Sequence, residues 1–274
     1  MWLARDLSRP GAHEERLREL FAGAMVYEAD APVFEHPLYV LGFTNRSGSN
    51  LLGEYLRGTS RFCGFQEQLN HPAVESRAAE LGLSSFPAYV EAIAARGRGQ
   101  APFGVKASSS QLSMLLRCRI DRMFAGLRLI HIVREDTVAQ AVSFSIAYQT
   151  KTWTSLHGEG GPEAAYSYDD ILRRLSGFTS ANALMAHQAA LFDIPCLKVT
   201  YEALTEDPAS VMRAVGRFAG VGLDAWQPGE TRLRKQATDR NARFKERFER
   251  ECRERIFGRA GPVGGGPTGA PGRR

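Results

Sequence analysis

The sequence is poor in cysteine and contains no long apolar run. Its four cysteines, Cys63, Cys118, Cys196 and Cys252, are far apart and form no C-x-x-C pair. We therefore expect reduced, mostly buried thiols rather than a disulfide framework or a zinc site. No stretch approaches the roughly 20 apolar residues that a membrane-spanning helix needs, and the N-terminus lacks the apolar core of a secretion signal. These absences predict a cytoplasmic protein with no transmembrane segment.

Histidine is also scarce, and acidic residues do not balance the basic ones. The six histidines show no metal-ligand spacing, so we expect no metal, and the net charge is +5. Residues 232–259 hold eleven Arg and Lys against five Asp and Glu, so the rest of the chain is nearly neutral. A basic patch this local favours a compact anionic ligand over a nucleic acid, and a solvated basic helix is the alternative.

Short apolar runs alternate with helical patterns through most of the chain. Strand-like runs lie at 38–43, 103–105, 127–133 and 195–200, and helical patterns lie at 51–57, 86–96, 111–124, 137–150, 170–191 and 208–219. This alternation predicts an α/β fold in three layers, a mostly parallel sheet with helices on both faces.

The chain also divides by composition. Residues 1–36 form a polar leader with a short amphipathic helix at about 14–25, residues 37–257 form one domain, and the Gly/Pro-rich tail 258–274 is expected to be disordered.

Polar residues follow each predicted strand at its carboxyl end, where open α/β sheets bind their ligands. They occupy positions 44–50, 106–110, 134–136 and 201–202. Basic groups and many hydroxyls at four strand ends predict a site for a polyanionic nucleotide.

The segment GFTNRSGSN runs from the first predicted strand into a helix, whose N-terminal amides would bind phosphate or sulfate. Gly48 would let the backbone approach the anion, and Ser47, Ser49 and Asn50 add donors. A nucleotide-hydrolysing loop needs G-x-x-x-x-G-K-[ST], but Ser49 stands at the lysine position and Arg46 is the only cation. The alternative is a plain strand–helix turn with Arg46 in solvent.

A second segment, RLIHIVREDTVAQAVSFSIAYQTKTW, places a basic residue at another strand end. Arg134 ends the strand, and Ser143 follows nine residues later, about two and a half helical turns on. This pair predicts a second phosphate site. The alternative is that Asp136 caps the helix while Arg134 is solvated.

Taken together, these segments resemble the bacterial PAPS-dependent sulfotransferases of the trehalose 2-sulfotransferase type. RSGS with LLGEYLR resembles the loop for the 5′-phosphosulfate, and HIVREDTVAQAVSF with QTKTW resembles the 3′-phosphate segment. KVTYEALTEDP is similar to an element found in sulfotransferases more widely, and KQATDRNARFKERF resembles the C-terminal basic helix of the family. The resemblance spans about residues 38–248 and implies a P-loop-like sulfotransferase fold.

The resemblance also implies a set of residues that bind PAPS or its product PAP. In chain order they are Arg46, Ser47, Gly48, Ser49, Asn50, Arg134, Ser143, Tyr201, Lys235 and Arg240. The first five would surround the 5′-phosphosulfate, with Asn50 standing where the family usually has Thr. Arg134 and Ser143 would hold the 3′-phosphate, and Tyr201 would pack near the adenine. Lys235 and Arg240 would close over the nucleotide.

Sulfuryl transfer to an alcohol also needs a base for the hydroxyl proton and cations for the leaving phosphate. Animal and plant sulfotransferases commonly place a histidine two residues after a strand-end lysine, but here Ser108 follows Lys106. The trehalose type uses a glutamate instead, and counting from the phosphate loop gives Glu67. Lys106 would assist the bridging oxygen, and Arg46 would stabilise the leaving phosphate.

The surroundings of Glu67 bear on its pKa. Phe62, Phe65 and Leu69 are near it in sequence, and an apolar site would raise the pKa of the carboxyl towards neutrality. The alternative is a surface glutamate in a polar loop.

The resemblance implies a metal-independent sulfotransferase that moves a sulfuryl group from PAPS to a small-molecule hydroxyl acceptor by in-line transfer. The acceptor would be a carbohydrate, a glycolipid or a natural product. Two alternatives stay open: a nucleoside-phosphate kinase or NTPase that depends on Mg²⁺, and a non-catalytic nucleotide-sensing module. A homodimer is left open, and no nucleic-acid partner is expected.

Overall fold

Five parallel strands form one sheet at the centre of the computed structural model, which describes residues 7–95, 101–153, 163–229 and 239–258. The strands are β1 (Leu38–Phe43), β2 (Cys63–Gln66), β3 (Phe103–Ala107), β4 (Leu127–Val133) and β5 (Cys196–Thr200). Their order across the sheet is β2–β3–β1–β4–β5. The predicted α/β fold with a parallel sheet is confirmed, but the sequence predicted only four of these strands.

The helices fill the segments between the strands. They are α1 (Ala12–Leu20), α2 (Ser49–Gly58), α3 (His71–Leu81), α4 (Phe86–Ala95), α5 (Ser109–Arg117), α6 (Thr137–Thr150), α7 (Tyr168–Leu191), α8 (Tyr201–Glu206), α9 (Pro208–Ala219) and α10 (Asp239–Phe257). The helix predicted at 111–124 stops at Arg117, because Arg119 adopts a left-handed conformation before a short 3-10 turn.

The sheet buries apolar side chains on both faces, as the three-layer prediction requires. Leu38, Val40 and Leu129 point into one core with α1, α3, α4, α5 and α7. Tyr39, Leu41 and Ile130, their neighbours along the strands, point into the opposite core with α2, α8 and α9. This alternation follows from the two-residue period of a strand.

A third, smaller core joins α6, α7 and α10. Phe248 of α10 is buried beside Val142 of α6 and Phe178 of α7. The C-terminal basic helix is therefore fixed against the helix that follows β4, which carries one of the predicted phosphate-binding residues.

The described part of the predicted leader is packed into the first core. Leu17 and Met25 are fully buried there, although α1 itself ends at Leu20. The buried carboxylate of Glu14 pairs with Arg18 (Nη2 to Oε1, 2.8 Å) and with Arg117 of α5. The division of the chain at residue 36 stays a prediction, and almost all of the predicted tail lies outside the described residues.

The cysteines are less buried than the sequence suggests. Cys118 is buried, but Cys196 is exposed because it begins β5, a strand at the edge of the sheet. Within the described ranges, no helix is both long enough and apolar enough to span a membrane.

Candidate active site

The predicted phosphate loop lies between β1 and α2 and ends at the N-terminus of that helix. Gly48 precedes α2 with a φ of 89°, a left-handed conformation that favours glycine. The first turn of α2 holds no acidic residue, and Gly48 offers no side-chain cap to its amides. Ser47 is fully buried, and its Oγ has no hydrogen-bond partner among the described residues. Such a helix N-terminus suits a phosphate or sulfate group.

Gln140 of α6 holds this loop in place. Its buried amide Nε2 donates to Thr44 Oγ1 (2.8 Å) and to the carbonyl oxygen of Asn45 (2.7 Å). The sequence alone does not predict this role of Gln140, because a glutamine within a helical pattern carries no signal of what it contacts. We regard it as a positioning residue for the phosphate loop.

The side chain of Arg46 brings the two predicted phosphate sites together. Its Nε donates to Ser143 Oγ of α6 (3.0 Å), and its Nη1 donates to the carbonyl oxygen of Trp153 (2.7 Å). Burial lowers the pKa of Arg46, and the positive charge of Arg134 lowers it further. Two guanidinium groups therefore lie close enough to repel each other, which an anion between them would relieve.

The ring of Tyr201 packs against both Arg134 and Gly48 at the carboxyl ends of the strands. The guanidinium carbon of Arg134 lies 4.9 Å from the centre of the Tyr201 ring. A Cβ atom added to Gly48 would come within 2.5 Å of Tyr201 Cδ2, so only glycine lets the ring approach this closely. Arg134 Nε is buried without a hydrogen-bond partner in the described part of the chain. The Nε of Arg134 is thus shielded from solvent, and Asp136 caps α6 as the alternative predicted, while the phosphate-binding role of Arg134 stays a prediction.

Glu202 supports the segment that carries Arg134. Its carboxylate accepts from the backbone N–H groups of Glu135 (3.0 Å) and Asp136 (3.3 Å). The end of β5 therefore fixes the backbone that follows β4. The Tyr-Glu pair after β5 is visible in the sequence, but its partner 67 residues away is not.

Glu67 follows β2, the strand that the sequence pattern does not predict. Its Oε1 accepts from the Nζ of Lys106 (2.8 Å), and the same ammonium donates to Asn50 Oδ1. Lys106 is 3% exposed and also lies 4.5 Å from the centre of the Phe43 ring. The residue at the end of the phosphate loop and the predicted base therefore share one buried cation.

A β-bulge directs Glu67 towards Lys106. Gly64 pairs with Gly104 and Gln66 pairs with Val105, so Phe65 is an extra residue in β2. Phe65 has a φ of 52°, and its ring lies where a side chain on Gly104 would otherwise be. Bulges of this kind redirect side chains next to active sites.

The pKa of Glu67 differs from the sequence-based expectation. Burial raises it, but the charge and hydrogen bond of Lys106, with a hydrogen bond from Asn70 Nδ2 (3.0 Å), outweigh burial and bring the pKa below its ordinary value. Burial lowers the pKa of Lys106, and Glu67 offsets only part of this effect. The expected rise in the pKa of Glu67 is therefore wrong for the ion-paired carboxylate.

Further polar residues hold Asn70, the second partner of Glu67. Gln111 Nε2 donates to Asn70 Oδ1 (2.9 Å), and Gln111 Oε1 accepts from the backbone N–H of Ser108 (2.9 Å). The ring of His13 in α1 accepts from the backbone N–H of His71 (3.0 Å), the residue that follows Asn70. The N-terminal segment thus contributes to the surroundings of the predicted base.

The basic C-terminal helix contacts the site differently from the prediction. Lys245 Nζ donates to Asp136 Oδ2 (2.7 Å), which ties α10 to the start of α6. Arg240 pairs with Glu163 (Nη2 to Oε1, 3.2 Å), and its role toward a nucleotide stays a prediction. Lys235 lies outside the described residues. In the ranges that the structure describes, no three His, Cys, Asp or Glu side chains are grouped as a metal ion would need.

Three solved structures show limited similarity to this chain. A sulfotransferase domain from the curacin biosynthetic pathway is 15% identical, with a TM-score of 0.48 over 79% of this chain and 98% of that one. A mouse sulfotransferase complexed with PAP is 12% identical, with a TM-score of 0.44 over 86% of this chain and 71% of that one. The sulfotransferase domain of an olefin synthase from Synechococcus is 18% identical, with a TM-score of 0.42 over 82% and 98%.

These TM-scores lie below 0.5, and the structural similarities carry no further conclusion. A comparison with curated proteins gives no match. The family comparison is decisive, because the model described as Stf0 sulphotransferase matches residues 38–251, which include both predicted phosphate sites, Glu67 and Lys106. The chain therefore belongs to the Stf0 sulphotransferase family.

Proposed function

We propose that this sulfotransferase uses PAPS as its donor and transfers the sulfuryl group to a hydroxyl of a small-molecule acceptor, such as a carbohydrate, a glycolipid or a natural product. One observation carries the proposal: Arg46 of the phosphate loop lies against Ser143 and near Arg134, the two residues predicted to hold a second phosphate. A nucleotide with phosphates at both its 5′ and 3′ positions fits such a doubled anion site.

The residues present fit such a donor. Ser47 Oγ and Arg134 Nε are buried donors without partners among the described residues, and both need one to offset their desolvation. Ser47, Ser49 and the first amides of α2 would hold the 5′-phosphosulfate. Arg134 and Ser143 would hold the 3′-phosphate, and Tyr201 would pack beside the base. The finer grouping with the trehalose 2-sulfotransferase type rests on the motifs alone.

Bound PAPS supplies an activated sulfuryl group and a phosphate leaving group. In the proposed mechanism Glu67 takes the proton of the acceptor hydroxyl, while Arg46 and Lys106 neutralise the charge that develops on the leaving oxygen. Lys106 links these tasks because it contacts both Glu67 and the last residue of the loop. When Lys106 turns to an anion in the loop, it holds the Glu67 carboxylate less firmly. The pKa of Glu67 then rises, and the carboxylate becomes a stronger base.

The two alternative functions are weaker. Membership of the Stf0 family favours sulfuryl transfer over a kinase or an NTPase. A sensing module would bind the nucleotide without needing a carboxylate and an ammonium at the open end of its phosphate loop. The Glu67–Lys106 pair therefore favours an enzyme.

A binding experiment with matched nucleotides tests the donor assignment. We expect Arg134→Ala to weaken PAP about 100-fold, because a charge-assisted hydrogen-bond site is lost, and to leave the weaker binding of AMP, which lacks the 3′-phosphate, nearly unchanged. Isothermal titration calorimetry measures both. Arg173→Ala is the control, since Arg173 is 72% exposed on α7. Equal losses for PAP and AMP, or no binding of PAP by the wild-type protein, would contradict the assignment.

A further inference from the structure

A cavity of about 410 Å³ lies beside β2, at the edge of the sheet. Its walls come from β2 and the residues after it, from the end of α2, and from α3, α4 and β3. The residues that matter here are Arg57, Glu67, Arg77, Tyr89, Ile93 and Phe103. Cavities of about 300–1,000 Å³ hold small-molecule ligands in other proteins.

Glu67 connects this cavity to the predicted donor site. It lines the cavity, and its Oε1 accepts from Lys106, which also donates to Asn50 at the end of the phosphate loop. A molecule in the cavity therefore lies next to the predicted base, which Lys106 connects to the end of the donor loop. This is the position that the proposed reaction requires of an acceptor.

Two arginines line the cavity besides Glu67. The carboxylate of Glu67 pairs with Lys106, whereas Arg57 donates its Nη1 to the carbonyl oxygen of Phe65 (2.8 Å) and is attracted by the charge of Glu54, one turn earlier in α2. Arg77 pairs with Glu80 on the next turn of α3, but this pair is exposed, and such pairs contribute little. Two guanidinium groups that can bind an anion therefore line the same cavity as the predicted base.

Three of the lining residues named above are apolar or aromatic. The side chains of Tyr89 and Phe103 are almost fully buried, and Ile93 is 4% exposed. The hydroxyl of Tyr89 is already used, because it donates to the carbonyl oxygen of Gln68 (2.7 Å). A ligand that fits this lining has an apolar part that packs against the aromatic and aliphatic residues and a negative group that binds the arginines.

We propose that the cavity binds the acceptor, and that this acceptor carries an anionic group (carboxylate, phosphate or sulfate) in addition to the hydroxyl that is sulfated. The inference rests on the proposed sulfotransferase function. In the step itself the acceptor oxygen forms the new S–O bond while the S–O bond to the phosphate breaks. The hydroxyl proton passes to Glu67, and the electron pair of the broken bond stays on the phosphate oxygen of PAP.

The first test separates candidate acceptors by charge. A metabolite extract is divided on an anion exchanger, and the retained and unretained fractions are each incubated with the protein and ³⁵S-labelled PAPS. We expect labelled product from the retained, acidic fraction. Label from the neutral fraction alone overturns the inference but leaves the sulfotransferase function standing. Absence of label from both fractions contradicts the function as well.

The second test uses variants with the acidic fraction as the acceptor. We expect Arg57→Gln/Arg77→Gln to lower the rate of labelling at least 20-fold and Arg77→Lys to retain most of it. The affinity for PAP should stay within threefold of wild type, which shows that the donor site and the fold are intact. Arg61→Gln is the control, since Arg61 is exposed and lies outside the cavity lining. A double variant that labels the acidic fraction at the wild-type rate overturns the inference.

Discussion

The ammonium of Lys106 lies 2.8 Å from Glu67 Oε1 and also donates to Asn50 Oδ1. One buried cation therefore connects the predicted base with the end of the phosphate loop. The contact also gives Asn50 a role, since its amide oxygen is an acceptor that faces Lys106. Lys106 is buried, whereas the side chain of Glu67 is 44% exposed, so the loss of Glu67 would leave a buried charge without its counter-ion and is expected to be the more costly of the two.

Glu67→Gln tests the assignment of the base. The amide cannot take the acceptor proton, so we expect sulfuryl transfer to fall about 10²- to 10⁴-fold, the usual contribution of a positioned base. Affinity for PAP, measured by calorimetry, should stay close to wild type. Glu19→Gln is the matched control, because Glu19 is 66% exposed on α1. Transfer by Glu67→Gln at the wild-type rate would exclude Glu67 as the base.

Lys106→Met tests the control of the base by its partner. Glu67 acts as a base only when ionised, so kcat/KM falls as the pH drops through the pKa of this carboxyl. Lys106 lowers that pKa, and its removal should move the acid limb of the pH–rate profile to higher pH and lower the maximal rate. Asn50→Ala keeps the ion pair and should leave the limb where it is. An unshifted limb in Lys106→Met would refute this coupling.

Gly48→Ala tests the close approach of Tyr201. The left-handed backbone at this position and the 2.5 Å separation of the added Cβ from Tyr201 Cδ2 should lower the free energy of unfolding by about 1–3 kcal/mol. Urea denaturation measures this loss. Gly58→Ala is the control, because Gly58 ends the same helix and has no atom within 4 Å of its added Cβ. Equal stability of both variants would contradict the packing described.

Acid stability should depend on Glu14. Burial raises the pKa of this carboxyl, but its bonds with Arg117 and Arg18 outweigh burial, and the net pKa lies below the ordinary value of 4.5. The ion-paired carboxylate therefore stabilises the fold above about pH 4.5 and loses this contribution as the pH falls through the lowered pKa.

Glu14→Gln should lower the free energy of unfolding by about 2 kcal/mol at pH 7, the cost of losing a charged hydrogen-bond partner. The difference from wild type should shrink on acidification. Thermal unfolding at several pH values measures it, with Glu15→Gln on the exposed side of α1 as the control. A difference that stays constant from pH 7 to pH 3 would argue against this role for Glu14.

The sequence predicts those parts of the fold that depend on local pattern. β1 is a continuous apolar run and β4 is apolar apart from Arg128 and His131, and both are largely buried, so their bounds were predicted correctly. β2 escaped prediction because it has only four residues, includes a glycine and contains a bulge at Phe65. Its pairing with β3 stabilises it, and that pairing depends on residues about 40 positions away.

The candidate site shows the same division. The residues of the phosphate loop and Arg134 lie in contiguous motifs, and the sequence points to them directly. The contact between Arg46 and Ser143 joins residues 97 positions apart, and no local pattern encodes it. The pKa of Glu67 was predicted in the wrong direction because the apolar neighbours are adjacent in sequence, whereas Lys106 reaches Glu67 only through the fold.

The bond from Arg46 Nε to Ser143 Oγ makes the two ends of the donor site interdependent. Ser143 Oγ accepts from Arg46 Nε and can still donate to a phosphate, and Arg46 keeps other N–H groups for an anion in the loop, so an anion at either end orients the bond that both ends share. The binding free energies at the two ends are then not additive, and each end changes the affinity of the other by the same factor. A nucleotide fragment with only one phosphate should consequently bind with a different affinity when inorganic sulfate already occupies the other end of the site.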